Sequence, residues 1–195
     1  MIQNQQYTRI FDDVLDAISV ILNDSRKSML THDKDALKQA EQKYHETVRK
    51  HRPEVEAIVA SREKTEIDKR IIGLLPHTQK IGIALENLLG AVRKKVDGNV
   101  VFTDKGLNEI RTLSSMISDL AKNAKDTIAT GNEHLKTKAR SQMEEIIRTA
   151  DEFALGHQER LIEGLCSPRA SYIYLDMVDS LKTAARELAG LAEKA

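Results

Sequence analysis

Tryptophan is absent from this 195-residue chain, cysteine occurs once, proline three times and glycine nine times. A single cysteine, Cys166, excludes an intramolecular disulfide and suits a reducing compartment. With so few glycines and prolines, only 4% aromatic residues, and Ala, Leu, Glu and Lys in abundance, the composition predicts helix throughout and no sheet. An excess of either charge is also missing. Thirty basic and thirty acidic residues give a formal net charge of zero, so no global field draws the chain to nucleic acid or to an anionic membrane. No apolar run approaches the roughly 18 to 20 residues needed to cross a bilayer, and Met1 to Gln6 is polar, unlike the opening of a signal peptide. The expectation is a soluble cytoplasmic chain, without nucleic-acid partner or direct membrane insertion, that finds its partners by shape.

What the chain does contain is amphipathic helix. Tyr7 to Leu30 carries Ile10, Phe11, Val14, Leu15, Ile18 and Ile21 at helical spacing, and Thr31, His32 and Asp33 then break the pattern and cap a second helix from about Lys34. Pro53 is expected to kink or interrupt that second helix. A third runs from about Glu66 to Val96 with a bend or restart near Pro76, and Lys94 and Lys95 close it, where cations suit the carbonyl end. Asp97 to Phe102 reads as a connection between halves, through the turn at Asp97, Gly98 and Asn99. Thr103 and Asp104 cap a fourth helix; Gly131 and Asn132 turn the chain; a fifth spans about Glu133 to Glu163. Ser167 and Pro168 start the last, because the serine oxygen accepts from first-turn amides and proline loses nothing at the first helical position. Its stripe includes Ile173, Tyr174, Met177, Leu181, Leu188 and Leu191. Thr31 to Lys38 matches Thr130 to Lys136 with one gap, so the chain reads as one domain, residues 1–195, of two tandem three-helix units at about 7–96 and 103–195. The fold class expected is an all-α, antiparallel six-helix bundle, with the third and sixth helices central and adjacent.

Candidate chemistry is sparse. Asp12 and Asp16 stand one turn apart, but two acids near a helix start more often complement the helix dipole than hold a cation. Glu41 with His45, and the row Asp179, Thr183 and Glu187, have helical i, i+4 spacing that solvated faces explain equally well. The histidines, His32, His45, His51, His77, His134 and His157, show neither His-x-x-x-His nor Glu-x-x-His spacing, which argues against a helix-borne metal site of the usual types. No glycine-rich phosphate loop and no catalytic triad is written in the chain. Cys166 fits a small buried or half-buried thiol better than a nucleophile, because no base can be placed beside it.

The run from Arg160 to Ala189 resembles the final two helices of PhoU-like domains, which comprise phosphate-uptake regulators and the cytoplasmic C-terminal domain of bacterial sodium/phosphate cotransporters. Cys166, Ser167, Pro168, Tyr174, Leu175, Asp176 and Leu181 carry the resemblance. It implies a non-enzymatic regulatory or accessory module of phosphate transport, located in the cytoplasm or at the inner face of the cell membrane. The partner implied is a protein, a membrane phosphate transporter, and a homodimer stays open. The alternative is a helical scaffold or dimerisation bundle with no phosphate role. PhoU-like proteins carry an acid-x-x-x-Asp motif on the third helix of each repeat, where carboxylates converge on multinuclear iron or zinc clusters. Aligned on that motif, this chain has Gln79 and Ile83 in the first repeat and Lys182 and Arg186 in the second. The expectation is therefore that no metal, cofactor or catalytic residue is present.

Overall fold

The structure is a computed structural model that describes the backbone of residues 2–195 and the side chains of residues 9–195. Among the described residues there are six α-helices and no strand: α1 (Ile2–Thr31), α2 (Lys34–Ala60), α3 (Glu66–Asp97), α4 (Asp104–Thr130), α5 (Glu133–Ile162) and α6 (Pro168–Lys194). The all-α expectation holds. Helix α1 begins at Ile2, earlier than the expected Tyr7, whose side chain lies outside the described residues.

Local chemistry sets the helix boundaries. The side chains of Asp33, Thr65, Thr103, Asn132 and Ser167 each accept a hydrogen bond from a first-turn amide of the helix that follows. At Thr65 the cap is reciprocal, because Asp68 accepts from the Thr65 amide while donating its own amide to Thr65 Oγ1. The α1–α2 and α4–α5 turns use one device. Thr31 is followed by His32 at φ +54° and the cap Asp33; Thr130 is followed by Gly131 at φ +63° and the cap Asn132. A single left-handed residue reverses the chain in both.

Neither internal proline interrupts its helix, for α2 runs on through Pro53 and α3 through Pro76. Each ring removes one backbone hydrogen bond, but both lie on an exposed face, where water can serve the freed carbonyl.

Helices α1, α3, α4 and α6 form the centre, with α2 packed outside on α1 and α3, and α5 outside on α4 and α6. The most extensive contact joins α3 to α6. They run antiparallel, since Arg70 Nη2 donates to the Ala195 carbonyl at one end and Lys94 Nζ lies 3.2 Å from Asp176 Oδ2 at the other. Their approach is close at Gly190, where an added Cβ would lie 2.6 Å from His77 Cε1. The core includes Phe11, Ile18, Leu74, Leu88, Leu113, Ile117, Met177 and Leu188. Burying each such side chain favours the fold by about 1.5–3 kcal/mol. Burial on α2 is sparse, limited to Ala36, Leu37, Ala40 and His51.

The α3–α4 connection, residues 98–103, is packed at alternate residues, with Asn99 and Val101 exposed. Val100 and Phe102 are buried, Asn99 adopts φ +48°, and the Val100 amide donates to the Lys95 carbonyl. Lys95 corrects the reading of a cation closing its own helix. The residue is only 1% exposed and its ammonium donates to the Met29 carbonyl at 2.9 Å, so it serves the carbonyl end of α1. Burial lowers its pKa from the ordinary lysine value.

Candidate functional site

The four positions singled out on α3 and α6 fall into two separate settings. Gln79 and Ile83 are exposed and line a mostly apolar groove of about 480 Å³ between α1, α2 and α3, beside Tyr44, Val48 and Val55. Lys182 reaches across to Asp151 on α5, Nζ to Oδ1 2.5 Å. Arg186 lines a shallow trough with Arg148, Asp151 and Glu152. Gln79 and Ile83 bring no carboxylate, and Lys182 and Arg186 bring fixed positive charge, so these side chains do not make the donor set of a multinuclear iron or zinc cluster. Among the described residues no group of three or more His, Cys, Asp or Glu side chains is placed to hold a metal ion.

The other sequence candidates are dispersed. Asp12 and Asp16 are not helix-start acids, because α1 begins ten residues before Asp12. Asp16 instead accepts from Lys125 Nζ at 2.7 Å, tying α1 to α4, while burial raises the Asp12 carboxyl above its ordinary value. Glu41 pairs with Arg93, and His45 is exposed against the edge of Tyr44. In the row on α6, Glu187 Oε2 meets His77 Nδ1 at 2.8 Å and Oε1 meets Lys80 Nζ at 3.3 Å, whereas Asp179 is exposed. Glu187 of that row ties α6 to α3, while Thr183 bonds back to the Asp179 carbonyl within α6.

The polar centre of the molecule was not foreseen. Glu109 on α4 and Arg160 on α5 are both buried and form a two-pronged ion pair: Arg160 Nη1 to Oε1 3.1 Å and Nη2 to Oε2 2.6 Å. Tyr174 Oη on α6 donates to Glu109 Oε2 at 2.7 Å. Burial first, and that bond to a carboxylate second, push the phenol's pKa up. His157 stacks on Tyr174 with centroids 4.2 Å apart, its Nε2 lies 2.8 Å from Ser171 Oγ, and its Nδ1 lies 3.5 Å from Arg160 Nη2. Three helices are thus clasped by one polar cluster. A sequence signal for it existed. Ala139, Met143, Ile146, Ala150, Phe153, His157 and Arg160 alternate steps of four and three, which puts the last two on the buried stripe of α5. Glu109 stands four residues before Leu113 on the stripe of α4.

Above this cluster opens a cleft of about 460 Å³ lined by Val101, Phe102, Thr103, Cys166, Ser167, Arg169 and Tyr174. Cys166 is half-buried there. The nearby histidine is already engaged by Ser171 and Arg160, so the cluster positions helices and supplies no base to the thiol.

Helix order, the central α3–α6 pair and the flanking α2 and α5 define an all-α bundle of the PhoU-like fold. A solved structure from Shewanella oneidensis MR-1, described as a PhoU-like phosphate regulatory protein, superposes with a TM-score of 0.74 over 98% of this chain and 96% of that one. The two are 13% identical. At that identity the likeness establishes the fold alone. No family model and no curated protein matches the sequence.

Proposed function

We propose that this chain is a non-enzymatic, PhoU-like regulatory or accessory module of phosphate transport, acting by docking on another protein. The single observation that carries the reading is the near full-length likeness of fold to a protein described as a phosphate regulator. The finer reading, that the partner is a membrane phosphate transporter and that the chain works at the cytoplasmic face of the membrane, rests on the resemblance of the Cys166 to Leu181 stretch. No helix of the described residues is long and apolar enough to cross a membrane. In support of a non-catalytic role, Glu109, Arg160, Tyr174 and His157 engage one another and Ser171, and among the described residues no nucleophile, base and oxyanion donor converge. We read residues 7–96 and 103–195 as tandem units within one domain; the shared turn device at His32 and Gly131 supports this division.

The test is deletion of the gene in the native host, with phosphate uptake measured in limiting and replete medium and cross-linking in intact cells. Altered uptake together with a cross-linked transporter is the expected result. Unchanged uptake in both media with no transporter recovered would leave the scaffold or dimerisation reading, which the exchange of acids for Gln79, Ile83, Lys182 and Arg186 favours.

A further inference from the structure

The histidines of this chain sort by what their ring nitrogens face. His51 Nε2 lies 2.8 Å from Asp13 Oδ2, and His77 Nδ1 lies 2.8 Å from Glu187 Oε2. His45 and His134 are exposed. His32 and His157 face cations: His32 Nε2 lies 3.3 Å from Lys95 Nζ, and His157 Nδ1 lies 3.5 Å from Arg160 Nη2. An ammonium and a guanidinium can only donate, so in both rings that nitrogen must carry the lone pair. His157 then keeps Nε2–H to donate to Ser171 Oγ.

The two rings are physically joined. Lys95 Nζ stands 5.4 Å from the Phe102 ring centroid, Phe102 meets Tyr174 edge-on at 6.1 Å, and Tyr174 stacks on His157. Phe102 belongs to the 98–103 connection. One chain of contacts therefore links the α1–α2 turn, the end of α3, the connection, and α5 and α6.

We propose that this end of the bundle is an acid-sensitive latch, in which protonation of His32 and His157 sets each ring against the cation it faces and releases the 98–103 connection, while the contacts of His51 and His77 hold. Around His32 the charged groups are Lys95 from α3 and, in the turn itself, Asp33 with its partner Lys27 and Lys34 with its partner Asp97. Around His157 they are Arg160 on its own helix and Glu109 from α4, with the Tyr174 phenol and Ser171 hydroxyl from α6. Glu109 is the one favourable charge, and Arg160 and Tyr174 already engage it. Burial, then Arg160, lowers the His157 pKa against the opposing pull of Glu109. A depressed folded value means the unfolded chain takes up the proton first. The stability His157 contributes is then full above the ordinary imidazole value of about 6.5 and is lost as pH falls through the folded value.

Hydrogen exchange of the whole chain, compared at about pH 7.5 and about pH 5.5 after correction for intrinsic rates, tests the latch. Protection across 31–34 and 98–103 is expected to fall by about tenfold or more at the lower pH, with protection around His51 and His77 kept within about twofold. His32→Asn retains an acceptor, suits the left-handed backbone and takes up no proton. Combined with His157→Gln it should preserve protection at the lower pH. Uniform loss of protection over the whole bundle, or a double variant that still opens, overturns the proposal. Should His157→Gln fail to fold, His32→Asn alone must blunt the response at 31–34, and an unchanged response there overturns it equally.

Discussion

Glu109 Oε2 receives two buried hydrogen bonds at once, from Tyr174 Oη at 2.7 Å and from Arg160 Nη2 at 2.6 Å. One carboxylate oxygen on α4 thereby holds α5 and α6 together. Such a site is costly to build and costlier to break by halves, because removing one partner leaves a charge buried without compensation.

Arg160→Met is therefore expected to lower unfolding free energy by about 3–5 kcal/mol, measured from urea denaturation midpoints with unchanged slope. The triple variant Glu109→Leu, Arg160→Met, Tyr174→Phe removes all three polar partners together and should recover most of that loss. If Arg160→Met alone proves as stable as the triple variant, Glu109 is not isolated by the change and the clasp is misread.

Pro53 sits inside α2 on an exposed face, where its ring forfeits one helical hydrogen bond. Pro53→Ala should raise stability by about 1–3 kcal/mol, since alanine restores the donor and improves helix propensity. Thermal melts would register this as a higher midpoint. A lower midpoint would mean the proline shapes α2 against α1 and α3.

Lys95 offers a pH test in the alkaline range. Burial depresses its folded pKa, so between that value and the ordinary lysine value of about 10.5 the unfolded chain binds more protons. The stability linked to this group is present above about 10.5 and is lost as pH falls through the folded value. Denaturation series at rising pH should show wild type gaining on Lys95→Met as pH climbs through that window. A constant difference between the two would place the ammonium in contact with water.

The sequence disclosed whatever is local. Ser167 with Pro168 announces the start of α6 because a cap needs only its own first turn, and the helix boundaries at Asp33, Thr103 and Asn132 follow from the same chemistry. Stripe spacing likewise placed α3 and α6 at the centre. Which side chains meet between helices was not legible. Lys95 looked like a cation closing its own helix, yet its side chain ends on the carbonyl of Met29, 66 residues away. The register between α1 and α3 determines that, and periodicity along one helix carries no register with another. Glu109 and Arg160 were hidden differently: both occupy stripe positions, where a charge is easily read as an interruption, although each is the other's reason for being buried.

The exchanged motif positions give the last prediction, and it is asymmetric. Lys182 and Arg186 stand beside Asp151 and Glu152 on α5, so Lys182→Glu with Arg186→Asp would face two added carboxylates toward two existing ones and remove two cations. Four carboxylates at the surface with oxygen donors suit a divalent cation. Gln79 and Ile83 line a groove whose α2 wall is Tyr44, Thr47, Val48, His51, Arg52 and Val55, with no carboxylate among them. Ile83 also borders a pocket with Glu86, Asp176 and Asp179, so Gln79→Glu with Ile83→Asp would divide the two new acids between the apolar groove and that pocket instead of facing both toward one set of carboxylates. Elemental analysis after equilibration with manganese or zinc and removal of free metal should find the metal retained by the α6 variant and not by the α3 variant or the unmodified chain. Retention by the α3 variant alone would show that the α1–α2–α3 groove, despite its apolar walls, is the better metal site. Equal retention by the unmodified chain would show that the positive charges of Lys182 and Arg186 do not exclude metal at all.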